Sequence, residues 1–178
     1  AMEPPAKFDK NGFRNEVIKV YQSLRPLTDK YIRDNVIRGQ YIAGDDRIGY
    51  REEKNVRPDS RTDTYVAMCL YVDNWRWQGV PFYIRTGKQM PTKVTEIVVH
   101  FRETPHQMFR CEGGHCPRAN KLILRLQPNE GIVLKFGMKV PGPGFDVKQV
   151  MMDFSYSDLG GLPAGDAYAR LIEDCIQG

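Results

Sequence analysis

A chain of 178 residues with 41% hydrophobic and 27% charged side chains has the make-up of a globular domain, which excludes a disordered or fibrous protein. Its 26 basic and 22 acidic residues leave a net charge of +4, a bias that suits a small anionic ligand and is too weak to argue for nucleic acid. No apolar run approaches the ~18 residues of a membrane-spanning helix, so neither nucleic acid nor membrane is expected as a partner.

Asp9 is placed to cap a helix over 11–24, in which Phe13, Val17, Val20, Tyr21 and Leu24 recur on one face. Pro26 ends it. Residues 34–41 predict a short strand, and the polar stretch 44–58 an exposed loop. From residue 62 the pattern becomes one of strands, at 64–72, 80–86, 94–102, 121–127, 132–138 and 150–156. The first carries apolar side chains on both faces and is expected to be covered on both sides. Asn129-Glu130-Gly131 predicts a tight turn, and most connections are too short for a crossover helix, so antiparallel pairing should dominate. Tyr168, Leu171, Ile172 and Cys175 line a final amphipathic helix over 166–176. The expected fold class is α+β: a large, mostly antiparallel sheet flanked by helices. The whole chain reads as one domain, with a leading helix in 1–30, the sheet in 31–160 and the closing helix in 163–178.

Cys69 lies in an apolar strand and Cys175 on a helix face, positions that suit free thiols. No signal peptide precedes them and the opening AMEPP reads as mid-protein sequence, so a reducing, cytoplasmic location is expected. Cys111 and Cys116, with His106 and His115, are the right residue types for zinc. Their spacing is not that of a finger, and no metal is expected.

The stretch with most chemistry is PFYIRTGKQMPTK at 81–93. A strand delivers Arg85, Thr86-Gly87 turns the chain, and Lys88 and Lys93 follow. A phosphate ester wants point cations on flexible stems and a guanidinium, and Gly87 would let backbone approach such a ligand. An ordinary basic loop is the alternative. Arg125 and Gln127 share a face of a strand otherwise built on leucines, which implies a polar partner there, a ligand or a salt bridge. Trp75 and Trp77 read as packing residues at a turn, with a stacking platform as the alternative. No dinucleotide fingerprint, Walker loop or nucleophile elbow occurs, and none of the three histidines stands in a catalytic context. No catalytic residue is assigned.

Several strings together resemble one family: VIRGQY at 36–41, DNWRWQGVPFYIRTGK at 73–88, LQPNEGI at 126–132 and DAYARLIEDCIQG at 166–178, with AMEPP at the start. In this order and spacing the chain resembles the C-terminal domain of the glucose-6-phosphate dehydrogenases along essentially its whole length. The resemblance implies an enzyme of the pentose phosphate pathway that oxidises glucose 6-phosphate to 6-phosphogluconolactone with NADP, or NAD in some members. It places the Rossmann domain and the catalytic histidine upstream of these residues, so this chain alone is expected to be inactive. It implies substrate-binding roles for Lys88, Lys93 and Gln127, and a homodimer formed through the sheet. Some members hold a structural NADP beside this sheet, and Arg85, Arg125, Lys135 and Asp153 fit that pattern. Val94, Val98 and Val133 stand where the pattern has cationic or aromatic contacts. The alternative is a stand-alone sugar-phosphate-binding or dimerisation module without catalysis.

Overall fold

The computed structural model describes residues 1–44, 46–103, 110–111, 119–159, 172 and 175–176. It divides into two compact units, Ala1–Pro91 and Thr92–Gly178.

The first unit starts with α1 (Lys10–Gln22), capped as expected by Asp9, whose carboxylate accepts from Gly12 N at 2.7 Å. Phe13 and Tyr21 of its predicted apolar face are exposed, and Val17, Val20 and Leu24 are half-buried. A second helix follows, α2 (Asp29–Asn35). Thr28 Oγ1 caps it by accepting from Tyr31 N at 3.2 Å, with Asp29 in the first turn and Arg33 in the last, each favourable against the helix dipole. Its seven residues are too few for a periodic pattern, so the expected strand at 34–41 begins only at Val36. Three antiparallel strands then form a sheet in the order β1-β2-β3: β1 (Val36–Gly39), β2 (Tyr65–Tyr71) and β3 (Pro81–Gly87).

The end of α1 is stitched to the end of β2. Arg25 N donates to Tyr71 O at 3.0 Å and Asp73 N to Ser23 O at 2.7 Å, around Val72, which is only 3% exposed. The Arg25 guanidinium grips Asp73 with two hydrogen bonds, of 3.0 and 2.8 Å, and stacks over the Tyr71 ring at 4.5 Å. Trp77 packs edge-on against Phe82, with ring centroids 5.3 Å apart. Trp75, expected to pack in the same way, is fully exposed.

The second unit holds a five-stranded sheet in the order β4-β6-β7-β8-β5. Its strands are β4 (Thr95–His100), β5 (Arg110–Cys111), β6 (Lys121–Gln127), β7 (Gly131–Lys139) and β8 (Asp146–Ser155). All pairs are antiparallel except β5 with β8. The antiparallel α+β reading therefore holds, with the strands shared between two sheets. Of the predicted closing helix, Ile172, Cys175 and Ile176 are helical, and Tyr168 and Leu171 lie outside the described residues.

Pairing fixes the faces of the second sheet. Ile97 meets Leu124, Leu124 meets Ile132, and Ile132 meets Phe154, while Leu134 meets Met152. One face is thus apolar from β4 to β8, yet Ile97 is 50% and Met152 62% exposed. On the other face Val133, 5% exposed, sits between Ile123 and Asp153.

Two expectations follow. The hydrogen bonds from Arg25 hold the Asp73 carboxyl below its ordinary value. Because the pKa is lower folded than unfolded, the link stabilises above the ordinary carboxylate pKa and fades as pH falls through the folded value. Acid titration followed by circular dichroism should show the wild type losing that component below about pH 4, and an Asp73→Asn variant should lack it throughout. At Gly131, an added Cβ would lie 2.5 Å from the Phe154 carbonyl oxygen and 2.8 Å from Arg125 Nη2. Gly131→Ala should cost about 1–3 kcal/mol in urea unfolding.

Candidate functional site

In the first unit, Lys88 stands immediately after β3 and is exposed. Its backbone is fixed by Thr64, which is 9% exposed and forms the polar centre of the unit. Lys88 N donates to Thr64 O at 2.8 Å, Thr64 N donates to Gly39 O at 2.9 Å, and Thr64 Oγ1 accepts from Tyr41 N at 3.0 Å. Gly87 is required by packing: a Cβ there would come 2.8 Å from the Tyr65 ring and 3.2 Å from Thr64 O. A backbone surface for an approaching ligand was the reason expected from sequence. Beyond Lys88, Gln89 takes a left-handed conformation, φ 53°, and its carbonyl accepts from Arg47 Nη1 at 2.5 Å. Arg85 is exposed on β3, opposite Ala67 of β2.

The segment read from sequence as an exposed loop carries ordered side-chain contacts. Tyr41 donates to Glu53 Oε1 at 3.0 Å and meets the Tyr50 ring edge-on at 5.6 Å. Burial, and then the bond to Glu53, pushes the Tyr41 hydroxyl above its ordinary pKa. Glu52 accepts from Gly49 N at 3.0 Å. Arg47 comes from this segment, and neither periodicity nor motif singles it out.

In the second unit, Gln127 ends β6 and pairs with Thr95, the first residue of β4. Lys93 is two positions before Thr95. Both are exposed, so the antiparallel pairing brings this cation and this amide to the same end of the sheet. The Gln127–Pro128 peptide is cis.

Three of the four residues expected around a structural coenzyme share one face of the second sheet. Arg125 is opposite Gly131, Asp153 opposite Val133, and Lys135 two positions beyond Val133 on β7. Arg125 and Asp153 form an ion pair that reaches across β7. It can do so because Gly131 has no side chain: the Arg125 guanidinium lies where a Cβ would project. The polar partner expected for Arg125 is thus, at least in part, a neighbouring carboxylate. Among the described residues, Arg125 Nε is buried without a partner. Val98 and Val133, both opposite Ile123, make the middle of that face apolar.

His106, His115 and Cys116 lie outside the described residues, as does the side chain of Cys111. Among the described residues, no three or more of the His, Cys, Asp and Glu side chains gather as metal ligands would. No described helix is long and apolar enough to cross a membrane.

All 178 residues match the model of the glucose-6-phosphate dehydrogenase C-terminal domain. The chain belongs to that family. It is 50% identical over 182 residues to the glucose-6-phosphate 1-dehydrogenase of Aggregatibacter actinomycetemcomitans, covering 100% of this chain and 36% of the relative. It is 45% identical over 183 residues to that of Treponema pallidum (strain Nichols), again with 100% and 36% covered. The chain therefore spans 36% of the length of these relatives. A glucose-6-phosphate dehydrogenase solved in complex with its substrate, glucose 6-phosphate, superposes with a TM-score of 0.84 at 32% identity, over 98% of this chain and 35% of that one. The enzyme from Mycobacterium avium superposes with a TM-score of 0.71 at 32% identity, over 88% and 31%. The sequence-based resemblance and fold class both stand.

Proposed function

We propose that this chain is the substrate-recognising, dimer-forming sheet domain of an NADP-dependent dehydrogenase that oxidises glucose 6-phosphate to 6-phosphogluconolactone in the pentose phosphate pathway of the cytoplasm. The observation that carries this reading is the family match along all 178 residues, with a substrate-bound relative among the structural neighbours. In this reading Lys88, Lys93 and Gln127 are substrate-binding residues. NADP accepts the hydride from C1 of the sugar. The coenzyme and the general base belong to sequence outside these residues, so this chain contributes binding and orientation, and we assign it no catalytic residue.

A second, structural NADP fits poorly. Among the described residues, the face carrying Arg125, Lys135 and Asp153 offers one unpaired donor and one ammonium around a centre of Val98 and Val133. Arg125 is already paired with Asp153. That set suits a single anionic group better than a dinucleotide. No step of the reaction is routed through it. No metal or nucleic acid enters the reading.

The homodimer is supported by the exposed apolar face of the second sheet. A contiguous apolar surface of this kind marks an interaction site. Burying it against a second copy would be worth about 25 cal/mol per Å² before ordering costs.

Two measurements test these proposals. Charge-assisted bonds are worth about 1.5–3 kcal/mol each, so two lysines give millimolar binding or weaker once ordering is counted. Glucose 6-phosphate titrated into the chain with NMR detection should bind in that range, and Lys88→Ala and Lys93→Ala should each weaken it about tenfold or more. Submicromolar affinity would point instead to a stand-alone binding module. In sedimentation equilibrium the chain should dimerise, and Met152→Glu should weaken the dimer at least about tenfold by burying a charge. A strictly monomeric mass at high concentration would overturn the dimer.

A further inference from the structure

The backbone around Lys88 is held from two sides. On one side its N–H donates to Thr64 O at 2.8 Å, so the residue cannot slide relative to the sheet. On the other, Gln89 has φ 53°, a conformation that residues with a Cβ rarely adopt. A left-handed glutamine at an exposed loop needs a compensating contact. The contact present is the Arg47 guanidinium on its carbonyl, at 2.5 Å. Arg47 is itself anchored. It bridges Gly44, with Gly44 N donating to Arg47 O at 3.0 Å, and its Nε and Cγ lie 3.7 and 3.8 Å from where a Gly44 Cβ would be. All of these groups lie in the first unit.

We infer that Arg47 is a positioning residue for Lys88, holding Gln89 in its left-handed conformation so that the Lys88 ammonium is presented to the substrate phosphate. This deepens the proposed function and rests on its assignment of Lys88. Removing the guanidinium would let Gln89 relax to negative φ. The peptide plane after Lys88 would rotate, and the lysine stem with it, while the sheet stayed intact.

The experiment is an NMR titration of the chain with glucose 6-phosphate. Arg47→Ala should weaken binding three- to tenfold, with the amide resonances of β2 unmoved as the check on folding. Arg47→Lys, which keeps a donor on a long stem, should stay within about threefold of the wild type. Gln89→Val keeps the charge of Arg47 but resists positive φ, and should lose affinity to a similar degree. Decisively, Arg47→Ala combined with Gln89→Gly should recover most of the lost affinity, because glycine adopts the left-handed region without help. If Arg47 acted by its charge on the phosphate, the double variant would bind no better than Arg47→Ala, and the inference would be overturned. It would also fall if Arg47→Ala bound as the wild type does while Lys88→Ala lost binding, leaving the substrate reading intact. Undiminished binding by Lys88→Ala would overturn both.

Discussion

Thr64 is the residue on which the first unit turns. A buried threonine must satisfy its hydroxyl, its N–H and its carbonyl or pay the full desolvation cost of each. It does so with three residues on two segments: Gly39 at the end of β1 with Tyr41 just beyond it, and Lys88 just beyond β3. These bonds converge at one end of the sheet. The position of the Lys88 backbone is therefore set by the sheet's own need for hydrogen bonds, with no contribution from the lysine side chain. A flexible cation can then be mobile at its tip while its root is fixed.

The parts of the fold legible in the sequence were those with long, repeated signals. The strand at 121–127 was read to the residue because three leucines alternate with Ile123, Arg125 and Gln127. The cap at Asp9 was legible because its chemistry is local. Helix α2 was not, since Tyr31 and Ile32 alone cannot establish a 3.6-residue period. β5 was hidden for a related reason: Arg110 and Cys111 are two residues paired in parallel to a distant strand. The division of the strands into two sheets depends on hydrogen-bond partners, which alternation does not reveal.

The candidate site divides in the same way. Lys88, Lys93 and Gln127 were singled out by the resemblance, and pairing of β4 with β6 puts Lys93 and Gln127 at the same end of the second sheet. Arg47 was not legible, because its role is a bond to a backbone carbonyl 42 positions away. The glycine at 87 has a packing reason that the sequence did not show. Its neighbours are Tyr65 and Thr64, so packing alone demands the missing Cβ. A glycine beside candidate ligand residues is weak evidence of a ligand until its own surroundings are known.

The ion pair across β7 has a consequence for how the second sheet assembles. Arg125 and Asp153 sit on the first and third of three adjacent strands, and they meet only where the strand between them offers Gly131. A slip of one residue between β7 and β8 would send Asp153 through to the apolar face. A slip of two would keep it on its face but carry it about 7 Å along the strand, beyond reach of the guanidinium. The pair thus works as a latch that closes in a single alignment of three strands. A misaligned sheet forgoes this pair, so the contact adds to the preference for one register.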